Sequence, residues 1–351
     1  MPMRILMIGP RLDVKGGISS LCNMIIDEHN GSNEIIFRPS MNDFSLFGRV
    51  THFLARIVSF PYERFVINPD LVHIHFSHSL STWRKSFLSL LWRFSGTKVV
   101  MHAHSSDYKE YFPSLSWPLR KFVMRTIGKA DGLVVLSESW KEFYSSILDF
   151  NSEKIYVMET PVKKLPNSAK KEKIVLFSGR IGDRKGAFRL LEAWASIPSK
   201  TRSDWNLILT GDGKVKKAQR IIQELSIGDS VSVKGWVEDQ TLADLMSACT
   251  IFVLPSRNEG LPMSLLQAMS SECAVITSPV GGIPEVVKDR ENGILVDPED
   301  IGSLSESIRL LIEESELRAS LSSNAVSSTR SLSIETYVPK MEKIWGSLIQ
   351  E

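Results

Sequence analysis

The chain has little cysteine, little net charge and no long apolar run, and each shortage closes off a class of protein. Cys22, Cys249 and Cys273 are too few and too widely spaced for a disulfide framework, and they suit buried thiols in a reducing compartment. A formal net charge of +2 on 351 residues gives no reason to expect nucleic acid as a partner. No uncharged stretch is long enough to span a bilayer, and the opening MPMRILMIGP holds too short an apolar run for a signal peptide. The expected location is therefore the cytoplasm. What remains, 43% hydrophobic and 23% charged residues, is the make-up of a globular protein rather than a disordered one.

What is there is a repeated alternation of short apolar runs with longer helical segments, the pattern of open parallel sheets covered on both faces. RILMIG, EIIFRP, LVHIHF, TKVVMHA, GLVVLS and KIYVME read as strands of a first domain, residues 1–163. A polar stretch rich in lysine and proline, centred on 164–172, reads as a linker. The alternation then restarts with IVLFSG, NLILTG, SVSVKG, TIFVLPS, AVITSP and GILVDP across a second domain, 173–332. Residues 333–351 read as a closing helix, free to cross back to the first domain. The expected fold is α/β, two doubly wound Rossmann-like domains facing across a cleft. In such sheets ligands gather beyond the carboxyl ends of the strands, where strand order reverses.

The residues directly after the strands are therefore the ones to weigh. In SRNEGLPMSLLQAMSS, Pro262 fits the first position of a helix, where its missing N–H costs nothing. The N–H groups of Met263 and its neighbours are then donors at a positive helix end, suited to a phosphate. Glu259, just before that helix, suits sugar hydroxyls, and Gln267, about a turn and a half in, lies on a side compatible with the same ligand. An ordinary helix start with a surface Glu and Gln fits this segment as well when it is taken alone. In FSGRIGDRKGAF, Arg180 and Lys185 stand at a strand-to-helix turn among Gly179, Gly182 and Gly186. Two cations there suit a departing diphosphate, although charged loops are commonly just solvated. Gly16 and Gly17 open a helix after the first strand, where backbone N–H groups can meet an anion. That turn is not the Gly-x-Gly-x-x-Gly dinucleotide fingerprint. TGDGK and VGGIPE read mainly as tight strand-to-helix connections.

All seven histidines precede Ser105, and His73 with His75, like His102 with His104, fall on one face of a strand. Such spacing can hold a metal, but no Asp-x-Asp or Cys-rich pattern accompanies it, and the expectation is strand-end histidines without an ion. In TWRKSFLSLLWRFSG, Trp83, Phe87, Leu90, Leu91 and Phe94 read as the sheet-packing face. Leu88 and Trp92 then project beside Arg84 and Lys85, a combination that suits an anionic membrane surface.

In this order and at this spacing, EGLPMSLLQAM, GR…RKG, GDG and GGIPE resemble the second domain of the family 4 retaining glycosyltransferases of the GT-B fold, the glycosyl transferases group 1. KGGISSL and KADGLVVLSES resemble the same family's first domain, so the likeness covers nearly the whole chain. The resemblance implies a metal-independent hexosyltransferase with no cofactor beyond its nucleotide diphosphate sugar. It implies Arg180 and Lys185 on the diphosphate, Glu259 on the transferred sugar, and Gly16 and Gly17 against phosphate or acceptor. Trp236 and Val237 would flank the base, and Leu261 and Met263 join the donor set. His104, with His102 in reserve, would contact the transferred sugar, completing a catalytic set with Arg180, Lys185 and Glu259. The family pattern places a second Glu where this chain has Gln267; an amide still accepts from one ribose hydroxyl and donates to another oxygen.

The implied reaction moves a hexose or N-acetylhexosamine, with retention, onto a glycan acceptor. That acceptor would be carried on a polyprenyl diphosphate during bacterial surface polysaccharide synthesis, with peripheral contact at the inner membrane face. Two other functions fit the same residues: a nucleotide-sugar-binding protein without transfer, and a nucleotide-sugar epimerase.

Overall fold

A computed structural model describes residues 2–31, 33–40, 46–148, 150–163 and 170–351, so most of the expected linker lies outside the described residues. The chain forms two compact units, Met1–Pro161 joined by Ile334–Glu351, and Val162–Ser333.

The first unit runs β1 (Arg4–Gly9), α1 (Gly17–Glu28), β2 (Glu34–Pro39), α2 (Leu46–Tyr62), β3 (Leu71–Phe76) and α3 (Leu80–Phe94). It continues with β4 (Lys98–Ala103), α4 (Tyr108–Ser114), α5 (Trp117–Ile127), β5 (Gly132–Val135), α6 (Glu138–Ile147) and β6 (Ile155–Val157). Its six strands lie in the order β2-β1-β3-β4-β5-β6, and every pairing is parallel. Strand order reverses between β1 and β3. LVHIHF is buried at every position, as a strand covered on both faces must be.

The second unit runs β7 (Ile174–Ser178), α7 (Ala187–Ser196), α8 (Ser199–Arg202), β8 (Asn206–Thr210), α9 (Val215–Glu224), β9 (Val231–Gly235) and α10 (Asp239–Ala248). There follow β10 (Ile251–Leu254), α11 (Met263–Ser270), β11 (Ala274–Thr277), α12 (Ile283–Val286), β12 (Ile294–Leu295), α13 (Ile301–Glu313) and α14 (Ser315–Thr329). The order β12-β11-β10-β7-β8-β9 is again all parallel, with its reversal between β7 and β10.

The closing helix, α15 (Ile334–Gln350), belongs to the first unit. Ile334, Tyr337, Val338, Met341, Trp345 and Leu348 recur at helical spacing and pack with Ile5, Met7, Leu71, Val100 and Val134. Pro339 sits on the exposed side of that helix, away from the packed stripe.

One reading of the sequence is corrected. The expected faces of α3 are reversed: Leu88 and Trp92 are only 3% and 1% exposed, whereas Phe94 is 86% exposed and Phe87 is exposed too. The cause is a buried stripe of small polar residues, Thr82, Ser86 and Ser89, with Lys85 and Trp92 at the same helical spacing. Short side chains let α3 pack closely over β3 and β4, so its most hydrophobic side is not its buried one. Helix α2 is a further feature, one that the alternation of apolar runs does not announce. Val50, Leu54, Val58 and Tyr62 stand exposed at four-residue intervals along it, an apolar stripe turned outward.

Trp345 anchors α15 by volume and by an indole N–H donated to His73 Nδ1 at 3.3 Å. Trp345→Ala should therefore lower the unfolding free energy by about 3–5 kcal/mol. Trp345→Phe should lose a smaller amount, about 1–3 kcal/mol, for the stranded His73 nitrogen. Urea denaturation of both variants checks this, and an alanine variant as stable as the parent would remove the anchor.

Candidate functional site

The second unit concentrates chemistry at its β7–β10 reversal. Lys185, in the turn after β7, and Glu259, in the loop after β10, meet there with Nζ and Oε1 2.5 Å apart. Both side chains are largely buried, so the contact is a solvent-shielded ion pair rather than a surface one. The two loops are knit around it. Arg257 N–H donates to the Arg184 carbonyl at 2.8 Å, the Arg184 guanidinium to the Asn258 carbonyl at 3.1 Å, and Arg189 to the Pro255 carbonyl at 3.2 Å. Gly186 begins α7 at φ 77, where an added Cβ would lie 2.1 Å from the Pro255 oxygen. Only glycine lets the turn carrying Lys185 press against the loop carrying Glu259.

The turns GDG and GGIPE are more than connections. Gly211, at φ +133, passes so close to Gly179 that a Cβ would sit 1.9 Å from its carbonyl oxygen. Gly281, at φ +58, stands in the same relation to Glu259, at 1.8 Å, and Gly282 N–H donates to the Gly260 carbonyl at 2.7 Å. One turn thus clamps the backbone beside Arg180 and the other the backbone of Glu259. Sequence reasoning missed these clamps and Arg189; the signal was closely spaced glycines in the turns that follow β8 and β11.

Helix α11 begins at Met263 with Pro262 as its N-cap, one residue later than the sequence suggests, and no side chain caps it. Leu265, Leu266, Ala268 and Met269 face the core, leaving Met263, Ser264, Gln267 and Ser270 on the more open side. Gln267 is four residues beyond Met263, one turn along and on the same face. Leu261 is buried beneath that helix start. Arg180 is exposed, at the same turn as Lys185, and makes no hydrogen bond or ion pair among the described residues. Trp236 is 44% exposed and Val237 half-buried at the end of edge strand β9. That strand is two spacings from β7, about 10 Å, so these residues are neighbours of the ion pair and not part of it.

In the first unit Gly16 and Gly17 open α1 at the β1–β3 reversal, beside a cavity of about 540 Å³. His104 is partly exposed, and its Nε2 lies 2.9 Å from Nδ1 of His75, a residue of the cavity wall. His102 is fully buried. Together with His73 they form a ladder of four imidazoles, those of His102 and His104 with centroids 4.0 Å apart. Burial pushes His73 down to about 3; burial first, then the charges of His73 and Lys85, pushes His104 down to about 3. Near neutral pH both rings are uncharged.

The ring nitrogens of His73, His75 and His102 lie within 4.8 Å of one another, a spacing compatible with a metal. Their hydrogen bonding describes something else. Trp345 donates to His73 Nδ1, so a neutral His73 carries its proton on Nε2, which faces His102 Nδ1 at 3.2 Å. Passed along in this way, the protons make a hydrogen-bonded chain in which His73 Nε2 offers no lone pair to an ion.

Against known proteins, residues 159–327 match the family described as Glycosyl transferases group 1, and residues 27–163 match Glycosyltransferase Family 4. The chain is 24% identical over 261 residues to an N-acetyl-D-galactosaminyltransferase of Campylobacter jejuni, named for a diNAcBac-PP-undecaprenol-linked acceptor. That alignment covers 73% of this chain and 68% of the relative. Among solved structures, sucrose-phosphate synthase from Thermosynechococcus elongatus superposes with a TM-score of 0.81 at 18% identity, covering 99% of each chain. HepE from Anabaena in complex with UDP gives 0.77 at 17% identity, covering 98% of this chain and 100% of that one. These two likenesses show the fold.

Gly281→Ala should cost at least about 2 kcal/mol, since a left-handed residue must also push the Glu259 carbonyl away. Gly182→Ala, where a Cβ would meet nothing within 4 Å, is the control and should be nearly silent. Thermal melts of the pair check the clamp; equal stability would discard it.

Proposed function

The chain belongs to the glycosyl transferases group 1, glycosyltransferase family 4, and from that membership we propose that it moves a hexose or N-acetylhexosamine from a nucleotide diphosphate sugar to a glycan acceptor with retention of configuration. The observation that carries this reading is the Lys185–Glu259 pair, shielded at the β7–β10 reversal beside the uncapped start of α11. An incoming diphosphate would take the ammonium from Glu259 and meet the α11 amides, while the released carboxylate accepts from sugar hydroxyls. Arg180, without a partner among the described residues, would add a second cation. Transfer breaks the bond between the anomeric carbon and the diphosphate oxygen and forms one to the acceptor hydroxyl on the same face. The hydroxyl proton passes to the departing diphosphate. The protein's main contribution is then to stabilise that leaving group. Gln267 would hold the ribose, Trp236 and Val237 the base, and His104 the sugar.

A lipid-linked acceptor fits peripheral membrane contact, and α2 supports a surface for it. No helix among the described residues is long and apolar enough to cross a membrane. The outward stripe of Val50, Leu54, Val58 and Tyr62 continues into exposed Phe65 and Val66. Residues 46–129 hold twelve Lys or Arg against four Asp or Glu, a net +8 in a chain whose total is +2. Exposed apolar side chains on a segment of net positive charge suit an anionic bilayer.

One observation favours a second reading. Gln267 stands where the resembling pattern has a carboxylate, which fits binding without transfer, or epimerisation of the bound sugar. Incubation with labelled donors separates the three by their products: transferred sugar, free epimer, or donor recovered intact.

Lys185→Ala should reduce turnover by about a hundred-fold or more, and near-normal turnover would unseat the leaving-group role. Gln267→Glu should keep the fold and preserve or tighten donor binding; if calorimetry finds binding abolished, the ribose assignment is wrong. Exhaustive chelation should leave turnover unchanged if side chains alone neutralise the diphosphate. Val58→Asp with Phe65→Asp should weaken sedimentation with phosphatidylglycerol vesicles about tenfold, and undiminished binding would remove α2 from the interface.

A further inference from the structure

The cavity at the β1–β3 reversal holds charge that the donor chemistry does not use. Lys85 lies on the buried stripe of α3, only 2% exposed, and lines this cavity. Its ammonium, with three protons to place, makes one hydrogen bond, to the His75 carbonyl. No carboxylate pairs with it among the described residues. A buried ammonium so poorly compensated either gives up its proton or takes a counter-ion. Burial, with the neighbouring Arg84 charge, pushes Lys85 down to about 7, which leaves it poised between the two.

The rest of the wall points the same way. His75 is fully buried, and its Nε2 has no hydrogen-bond partner among the described residues. Arg84 and Lys15 contribute further positive charge, and no Asp or Glu lies among the described lining residues. The starts of α1 and α3, both without a side-chain cap, open onto the same space. At about 540 Å³ the cavity is large for a bare oxyanion and suits one attached to a larger body.

We infer that this cavity is a phosphate-binding site of the first unit, anchored by Lys85, and that it receives the phosphate carried by the acceptor. Its described lining residues all fall between Pro10 and Lys85. The second unit has its own cations and its own uncapped helix start for the donor diphosphate. Assigning the phosphate to the acceptor rests on the transferase reading; the existence of the anion site does not.

The test separates the two. In an Arg180→Ala/Lys185→Ala background, which cripples the proposed donor site, inorganic pyrophosphate should still bind by calorimetry. Adding Lys85→Met, which keeps the length of the side chain and removes its charge, should weaken that binding about tenfold or more. Arg84→Gln, at a partly exposed position, is the second variant should the first not fold, and it should weaken binding about threefold. No pyrophosphate binding in the background, or the same affinity in a folded variant, overturns the site whatever the enzyme's activity. In the otherwise native chain, Lys85→Met should weaken geranyl diphosphate, a short polyprenyl diphosphate, or else a sugar 1-phosphate. Loss of the first alone marks a lipid acceptor, and loss of the second alone marks a soluble one. UDP, GDP and ADP affinities should stay within about twofold, because none of these ligands would touch Lys85. If a nucleoside diphosphate weakens instead, the anion belongs to the donor and the acceptor assignment falls.

Discussion

An ammonium and a carboxylate held 2.5 Å apart where strand order reverses in the second sheet is the contact on which its neighbourhood depends. Two largely buried opposite charges tolerate each other's presence, but neither tolerates the other's loss. Everything around the pair serves to keep it placed: the left-handed Gly186, the arginine bonds to the carbonyls of Pro255 and Asn258, and the Gly281 backbone against Glu259. Such a pair is also a site that stays neutral when empty. A bound diphosphate can compete for the ammonium only if it brings more favourable charge than the carboxylate it displaces.

Backbone precision, more than side-chain inventory, makes this possible. The carbonyls of Gly179, Pro255 and Glu259 each lie where any Cβ on the facing glycine would overlap them. Parallel strands end in register, so the loops that leave them crowd one another at the carboxyl edge. Glycine is the residue that allows loops to cross there without spreading the sheet.

The strands were readable because a sheet covered on both faces demands unbroken apolar runs, and those runs are visible from VVMHA to TIFVLP. Lys185 and Glu259 could be picked out for the same reason, each following such a run directly. Their contact could not be read, since it joins positions 74 apart through a strand order that no local pattern encodes. Helix α3 failed in a more instructive way. Its buried side carries Thr82, Lys85, Ser86 and Ser89 beside Leu88 and Trp92, so hydrophobicity pointed to the wrong side. Close packing over a sheet can favour small side chains over greasy ones, and periodicity weighs only the latter. The histidines stack as their spacing suggests, but the direction of the His73 and His102 protons depends on Trp345, more than two hundred residues away in sequence.

Each sheet has its reversal, and at each one a lysine sits largely buried among helix starts and glycines. The two lysines survive burial by different means. Lys185 has Glu259, so it can keep its proton with no ligand present. Among the described residues Lys85 has only a carbonyl, and burial lowers its affinity for the proton. If the proposed donor role holds, a carboxylate beside Lys185 suits a site that also takes a sugar, since the same oxygen that neutralises the cation could turn to hydroxyls once an anion arrived. A carboxylate beside Lys85 would serve no such second purpose and would repel the phosphate as strongly as it steadied the lysine. On the proposed readings, the carboxylate that Lys85 lacks among the described residues is what would distinguish a pocket that grips only the phosphate end of its ligand from one that must also turn to a sugar.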